Sequence, residues 1–395
     1  PGPLGARAGL IFEGRLSCMS PLEQPSGSSP ATPGEFLLCT CQAGAEAALQ
    51  RLAAEVMSAT RPGVWRRGLV TFRLPAAGLV GDPPHDLVFA RTAIHSLGQV
   101  TGANDDSRVA AAAALAAGIA FDNVHVWPRE ATVDLPLVAI REQLIAARGI
   151  DPTISPVAKP GDLVLDCVFD SADRWWIGWH SAAGPASCWP GGIYPAAALP
   201  LPEGRVSRAW LKLDEAIALF GIPFEPGQRA MELGASPGGA CQRLLEAGLQ
   251  VVGVDPAVVD ARLAAEPNFQ QWRMRARDVP LRRCGGIDWL VADMNIDPKS
   301  TMAALGRIAM APGVQLAGIV ATLKLPDWSR AAEVSGWIKE FFSWGLEPRA
   351  RQLSTGGREI CVVAVRPEGA WRPVVRKDAR GGRIRRRRAT RRPDQ

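Results

Sequence analysis

The chain has 395 residues, a hydrophobic fraction of 47%, a charged fraction of 21% and a net charge of +6. This length allows two ordinary domains, and the composition excludes a fibrous or largely disordered protein. No apolar run approaches the ~20 residues that span a bilayer, and the N-terminus lacks the pattern of a secretory signal, so we expect a cytoplasmic protein with no membrane partner. The eight cysteines form no C-x-x-C pair and the four histidines are scattered. We therefore expect buried free thiols and no metal site.

The first 200 residues mix strand and helix patterns. Residues 1–34 are rich in Gly, Pro and Ser and are predicted to form a disordered arm. The predicted strands are "EFLLCTCQ", "VWRRGLVTFRLP", "NVHVWP" and a hairpin, "DLVLDCVFDSADRWWIGWHSA", that turns at Ser171-Ala172-Asp173. The predicted helices cover residues 45–59, 86–97, 108–119 and 135–148. This mixture predicts an α+β domain over residues 35–200.

A proline-rich connector at residues 195–208 precedes a second predicted domain, residues 201–370. Its predicted strands are "QRAMELG", "LQVVGVD", "FQQWRMRA", "IDWLVADM" and "VQLAGIVATLKLP". Helical patterns at residues 239–247, 257–265 and 301–310 lie between them. This alternation predicts an α/β, Rossmann-like domain, in which helices cover both faces of a parallel sheet. A hairpin around Thr355-Gly356-Gly357 is expected to close the sheet.

The segment "MELGASPGG" has the pattern of a cofactor loop, because a strand ends in a glycine-rich turn that opens a helix. Asp255 ends the next strand, where it can accept hydrogen bonds from a ribose diol. The spacing G-x-x-x-G-G differs from the G-x-G-x-x-G of dinucleotide sites. Glu232 would repel a pyrophosphate but suits the ammonium group of a methionine moiety. The loop therefore favours S-adenosylmethionine over NAD; a structural turn without a ligand is the alternative.

Four ionisable residues stand at strand ends, at a helix start or inside apolar runs. Asp293 ends "IDWLVAD", Lys324 interrupts the apolar run "IVATLKLP", Glu359 begins "EICVVAV" and Lys212 lies in "SRAWLKLDEA". A buried lysine is costly without a partner. In a parallel sheet Asp293 and Lys324 fall at the carboxyl edge, where open α/β sheets carry their chemistry. Taken singly, Asp293, Glu359 and Lys212 are better explained as a cap, a surface charge and a solvated lysine. Taken jointly with Lys324, around a cofactor loop, they favour a shared site.

The segments "SRAWLKLDEA", "LGASPGG", "LVADM", "TLKLP" and "RQLSTGGREICVVAVR" resemble, in order and spacing, the bacterial large-subunit ribosomal RNA cytidine 2′-O-methyltransferases (RlmM type). They resemble more distantly the heat-shock ribose methyltransferases of FtsJ type. The resemblance covers residues 205–366 well. It extends weakly to "EFLLCTCQAGAEAAL" and "GDLVLDCVFDSADRWWIGW", which look like an RNA-binding domain of THUMP type.

The resemblance implies an S-adenosylmethionine-dependent methyltransferase that acts on an RNA ribose, without a metal. It implies a catalytic tetrad of Lys212, Asp293, Lys324 and Glu359. Around the cofactor it implies Gly234, Ser236, Pro237, Gly238, Gly239, Asp255, Asp278 and Asp293, to which the loop chemistry adds Glu232. Lys324 would act either as a neutral base or as a charged group that stabilises the developing alkoxide.

The positive charge is concentrated in the last 25 residues. There eleven Arg or Lys residues oppose two Asp residues, a net charge of +9, so the other 370 residues carry a net charge of −3. We predict a disordered tail at residues 371–395 that binds RNA phosphates through Arg385, Arg386, Arg387 and Arg388; a solubilising or localising extension is the alternative. Trp65, Arg66 and Arg67 are further candidates for RNA contacts.

Two other readings of function stay open. A methyltransferase for a small molecule or a protein would explain the cofactor loop but not the Lys-Asp-Lys-Glu series. An RNA-binding protein with an inactive methyltransferase fold would explain the resemblance without the reaction. No pattern indicates an obligate protein partner. The prediction is therefore an RNA methyltransferase whose expected partner is large-subunit ribosomal RNA.

Overall fold

Two seven-stranded β-sheets organise the protein. The computed structural model describes residues 35–57, 59–75, 87–130 and 135–367, all of which belong to one compact unit. The predicted arm at residues 1–34 and the predicted tail at residues 371–395 lie outside the described residues. Within the described part of the chain, no helix has the length and apolar character needed to cross a membrane.

The first sheet has the strand order β2-β3-β1-β4-β7-β6-β5. Only β5 and β6 pair in parallel; every other neighbouring pair is antiparallel. Its strands are β1 (Phe36–Cys41), β2 (Arg61–Arg66), β3 (Leu69–Arg73), β4 (Ala90–Thr101), β5 (Asn123–Pro128), β6 (Leu163–Ser171) and β7 (Arg174–Ser181). The helices of this half are α1 (Glu46–Val56), α2 (Asp105–Leu115), α3 (Leu137–Arg148) and α4 (Pro185–Cys188). This is the mixed arrangement that the sequence pattern predicts.

Two predictions for this half are wrong. The helix expected at residues 86–97 is the long strand β4, because β1 and β7 pair with its two edges and this pairing outweighs a weak local preference. The single strand expected at residues 64–75 is the hairpin of β2 and β3. Its turn includes Gly68, whose φ of +76° is a conformation that glycine adopts readily.

The second sheet has the order β10-β9-β8-β11-β12-β14-β13. Strands β8 to β12 run parallel, and β14 is antiparallel to both β12 and β13. Its strands are β8 (Arg229–Leu233), β9 (Gln250–Val254), β10 (Phe269–Trp272), β11 (Trp289–Ala292), β12 (Gly318–Lys324), β13 (Glu347–Arg351) and β14 (Glu359–Val365). The helices are α5 (Ala209–Phe220), α6 (Gly239–Glu246), α7 (Ala261–Ala264), α8 (Pro298–Ala309) and α9 (Val334–Ser343). The predicted parallel strands and the closing hairpin are confirmed.

The apolar runs of the parallel strands supply the core of the second sheet. All four residues of β11 are buried, as are six of the seven residues of β12. A sheet covered on both faces requires such continuous runs. One apolar cluster continues from this core to Leu49 and Phe89 in the first half of the chain. Burial of both strand faces leaves the strand ends as the places where polar side chains can collect.

Candidate active site

The carboxyl ends of four neighbouring parallel strands meet at one edge of the second sheet. Gly234 follows β8, Asp255 follows β9 and Asp293 follows β11, while Lys324 is the last residue of β12. Because β14 runs antiparallel to β12, its first residue, Glu359, is the register partner of Lys324. The topology therefore brings residues that are up to 125 positions apart in sequence to one edge, where open α/β sheets bind ligands.

Lys212, Asp293, Lys324 and Glu359 form a closed ring of alternating charge. Lys212 Nζ lies 3.2 Å from Asp293 Oδ2 and 2.7 Å from Glu359 Oε1. Lys324 Nζ lies 2.7 Å from Asp293 Oδ1 and also pairs with Glu359 Oε2. Two ammonium groups and two carboxylates give the ring no net charge. The structure thus brings together all four residues of the expected tetrad.

The ring controls the protonation of its members. Burial alone would raise the pKa of Asp293, but the ammonium groups of Lys212 and Lys324 outweigh burial and hold it below the usual value. Burial alone would lower the pKa of Lys324, but Asp293 and Glu359 outweigh it and raise the pKa. Lys324 is therefore an ammonium ion at neutral pH in this arrangement.

A buried carboxylate, Glu215, ties helix α5 to the turn that precedes β14. It accepts hydrogen bonds from Ser354 N at 2.8 Å, Ser354 Oγ at 2.9 Å, Thr355 N at 2.8 Å and Thr355 Oγ1 at 2.6 Å. Glu215 lies three residues after Lys212 on α5, and the turn leads to Glu359. This residue was not identified from the sequence, because Asp214 beside it and Lys212 one turn earlier make it look like one charge among several on the helix.

The glycine-rich loop joins β8 to α6 beside the ring. Gly234 has a φ of +86°, and a Cβ there would lie 2.8 Å from the carbonyl oxygen of Asp293. The peptide between Ser236 and Pro237 is cis. Ser236 N donates to Asp255 Oδ2 at 3.2 Å, and Ala257 N donates to Asp255 Oδ1 at 2.8 Å. The half-buried Asp255 thus links the loops that follow β8 and β9.

The two glycines at the start of α6 allow close packing of neighbouring segments. A Cβ on Gly238 would overlap the side chain of Leu263. A Cβ on Gly239 would overlap Ser207 and lie 2.8 Å from Trp210 N, at the start of α5. The missing side chain of Gly239 allows α5, which carries Lys212, to approach the loop, and that of Gly238 leaves room for Leu263 on α7. The role of both glycines in cofactor binding stays a prediction.

Glu232 is buried at the end of β8, beneath the glycine-rich loop. Burial, together with the charges of Asp293 and Asp255, raises its pKa to about 8, although a hydrogen bond with Cys241 opposes the rise. Its Oε2 atom has no hydrogen-bond partner among the described residues. An unpaired buried acceptor of this kind suits a ligand that brings a cation.

Other predicted site residues are not drawn into this cluster. Asp278 is exposed on a short turn after β10, where it pairs with Arg277 at 3.9 Å. Its role near the cofactor stays a prediction. Arg385, Arg386, Arg387 and Arg388 lie outside the described residues.

The tryptophans of the first sheet divide into buried and exposed groups. Trp175, Trp176 and Trp179 on β7 are buried and belong to the core of the first sheet. Trp65 is 54% exposed on the edge strand β2, whose six residues are all exposed. Arg66 lies on the same strand and Arg67 directly after it. These three residues have the accessibility that RNA contacts require.

The seven cysteines of the described residues are free and buried, as predicted. One buried cluster was not expected: His125, Asp166 and His180 lie close enough together to hold a metal ion. His180 Nδ1 is 2.5 Å from Asp166 Oδ2, and its Nε2 is 2.8 Å from the carbonyl oxygen of Ser187. Burial lowers the pKa of His125 to about 3, so that ring is neutral. Hydrogen bonds already engage both ring nitrogens of His180.

Comparisons with known proteins agree with the resemblance in the sequence. Residues 205–317 match the family model of the FtsJ-like methyltransferases. The ribosomal RNA large subunit methyltransferase M of Halorhodospira halophila is 29% identical over 312 residues, which cover 77% of this chain and 87% of that protein. The protein of the same name from Alkalilimnicola ehrlichii is 34% identical over 199 residues, which cover 48% of this chain and 53% of that protein.

Among solved structures, TrmN from Thermus thermophilus aligns over 84% of this chain and 99% of its own at 17% identity, with a TM-score of 0.32. That score is too low to establish a shared fold. The sequence matches indicate the family more clearly. Several relatives carry the same name, and the residues matched by the family model include the glycine-rich loop. The chain is thus similar to the ribosomal RNA large subunit methyltransferases M, and its residues 205–317 match the FtsJ-like methyltransferases.

Proposed function

We propose that this protein transfers a methyl group from S-adenosylmethionine to a ribose 2′-hydroxyl of large-subunit ribosomal RNA, with a cytidine as the target. The observation that carries the proposal is the closed ring of Lys212, Asp293, Lys324 and Glu359 beside the glycine-rich loop. The names of the curated relatives support the RNA substrate. We further propose a domain over residues 35–200 that binds RNA, of THUMP type, and a methyltransferase domain over residues 201–370.

The residues of the loop fit the cofactor. The unpaired Oε2 of Glu232 offers an acceptor for an ammonium group. Asp255 follows β9, which supports its assignment as the acceptor for a ribose diol. When bound, S-adenosylmethionine supplies a methyl group that its sulfonium has already activated. The protein then has to position the hydroxyl oxygen and manage one proton.

The charge ring suggests how the chain would position the hydroxyl oxygen and handle its proton. In the proposed reaction the ribose oxygen would take the methyl group that bound S-adenosylmethionine supplies, and the hydroxyl proton would pass to solvent water, because Lys324 is already protonated. Lys324 is an ammonium in the resting ring, so we assign it the role of stabilising the developing negative charge on the oxygen. Asp293 and Glu359 hold Lys324 in place, and Lys212 pairs with the same two carboxylates. A neutral-base role would require Lys324 to lose its proton to solvent first.

The test is transfer of labelled methyl from S-adenosylmethionine to total RNA from a strain that lacks this gene. We expect label in large-subunit RNA and a linkage that resists alkaline hydrolysis, because a 2′-O-methyl group removes the nucleophile. Lys324→Ala should abolish the label, whereas Lys339→Ala on the exposed face of α9 should leave it unchanged. Wild-type protein that binds the cofactor and labels no RNA would contradict the proposal and favour a small-molecule or protein substrate, or an inactive fold.

A further inference from the structure

A cleft of about 490 Å³ opens directly beside the charge ring. Lys324 and Glu359 form part of its lining, so any group held in the cleft lies next to the ring. Arg358 and Ile296 also line it, and both are exposed; Ile296 is 43% exposed. The cleft therefore combines an arginine, an apolar side chain and two members of the tetrad.

Three of the four charged residues that line the cleft are already paired. Lys324 and Glu359 belong to the charge ring. Asp297, another lining residue, pairs with Arg330 at 3.1 Å, and Arg330 also pairs with Glu333. The guanidinium of Arg358 has no hydrogen bond or ion pair with any described residue. The cleft thus offers one unpaired cation, Arg358, to a negatively charged ligand group.

We propose that this cleft binds the phosphodiester next to the target ribose, with Arg358 as the phosphate ligand. The inference rests on the proposed function, because it names the subsite that would hold the RNA backbone. A guanidinium can pair with two phosphate oxygens at once, which fixes orientation as well as position. Ile296 offers an apolar surface for the sugar or base of the same nucleotide.

The position of Arg358 in the chain supports this role. It directly precedes Glu359, and its carbonyl oxygen accepts a hydrogen bond from Leu325 N at 2.8 Å, next to Lys324. Its backbone is therefore anchored to both strands that carry the ring. A phosphate bound to Arg358 would hold the neighbouring ribose at a defined distance from Lys324. Phosphate contacts of this kind set the register of a nucleic acid without reading its sequence.

The experiment uses the full chain and unmodified large-subunit ribosomal RNA transcribed in vitro. RNA affinity is measured at several salt concentrations, together with kcat and KM for methyl transfer and the affinity for S-adenosylhomocysteine. The variants are Arg358→Ala, Arg358→Lys and, as a matched control, Arg282→Ala. Arg282 is also exposed and has no side-chain partner among the described residues, but it lies outside the cleft.

We expect Arg358→Ala to weaken RNA binding and raise KM by roughly tenfold to a hundredfold, the range for loss of a charge-assisted hydrogen bond. The slope of log affinity against log salt should fall by about one. Arg358→Lys should keep the slope and recover part of the affinity, since lysine remains a cation but lacks the bidentate fork. Arg282→Ala and the affinity for S-adenosylhomocysteine should not change.

Three results would overturn the inference: wild-type RNA affinity and slope in Arg358→Ala, a fall in kcat with KM unchanged, or an equal loss of affinity for S-adenosylhomocysteine. The proposed function fails by a different result. Wild-type protein that binds RNA and transfers no methyl group refutes the reaction, whatever Arg358→Ala does. If the wild-type protein methylates RNA and Arg358→Ala has the same RNA affinity and KM, only the phosphate subsite is refuted.

Discussion

Glu215→Gln is the perturbation that best tests how the fold positions the charge ring. Glu215 accepts four hydrogen bonds from Ser354 and Thr355, and each of its two oxygens accepts one from a backbone N–H. In glutamine one of these oxygens becomes an NH₂ group, which donates hydrogen bonds and cannot accept them. The neighbouring hydroxyl can rotate and accept a hydrogen bond from the NH₂ group, but the backbone N–H cannot. One buried backbone N–H then loses its partner, at a cost of about 1–3 kcal/mol.

The variant should therefore lower the free energy of unfolding by about 1–3 kcal/mol, measured by urea denaturation. Glu215→Leu leaves both backbone N–H groups unpaired and should cost about twice as much. Glu340→Gln, on the exposed face of α9, is the control and should change stability by less than about 0.5 kcal/mol.

Loosening this contact should also slow the reaction, because Glu215 links the helix of Lys212 to the turn before Glu359. We expect kcat for methyl transfer to fall about tenfold, the equivalent of roughly 1.4 kcal/mol, with the affinity for S-adenosylhomocysteine unchanged. Glu215 should affect the reaction only by positioning Lys212 and Glu359 in the charge ring. In a Lys212→Ala background the same substitution should then lower kcat by less than about twofold.

A Glu215→Gln variant that loses stability and keeps the wild-type kcat would show that the contact is structural only, and the positioning argument would be refuted. Full additivity with Lys212→Ala would refute it equally. An unchanged free energy of unfolding in Glu215→Gln would contradict the expected cost of the unpaired backbone N–H.

Two further outcomes follow from the loop. Gly239→Ala should destabilise the protein by about 1–3 kcal/mol, because the new Cβ would lie 2.8 Å from Trp210 N. The control is Gly336→Ala on α9, where the added Cβ meets open space. In the same unfolding assay this variant should be more stable than the wild type by roughly 0.5–1 kcal/mol. The raised pKa of Glu232, about 8, means that an ammonium ligand must displace its proton below that pH. The affinity for S-adenosylmethionine should rise by up to about tenfold per pH unit toward pH 8 and then level off. Calorimetry at several pH values measures this dependence. The same dependence of affinity on pH in Glu232→Gln would contradict the prediction.

The second half of the fold could be predicted from the sequence because its signals are local. Each parallel strand is a short apolar run, and the runs that end in Asp255, Asp293 and Lys324 place ionisable residues at the carboxyl edge. Strand direction then determines which residues meet. That Lys212 and Glu359 close the ring was expected only from the family resemblance, since a helix lysine and a hairpin glutamate have no distinctive pattern of their own.

The errors and omissions have a common cause, which is dependence on tertiary context. Strand β4 was expected as a helix because its pairing with β1 and β7 is not visible in its own residues. Helix α9 is an exception, because Val334, Trp337, Ile338 and Phe341 stand at helical spacing and this local signal was overlooked. Glu215 and Arg358 acquire their roles from partners or clefts that only the folded chain creates.

The energetics of the charge ring favour a functional explanation over a structural one. Burying ionised groups is costly, and well-packed apolar residues of similar volume often stabilise a protein as well as a buried ion pair does, or better. The ring members are mostly buried, with side-chain exposures of 8–19%. They stand where the strand ends meet a glycine-rich loop and an open cleft. A fold that only bound RNA would need none of these four charges at this edge. Their arrangement is therefore better explained by a reaction in which charge develops beside Lys324.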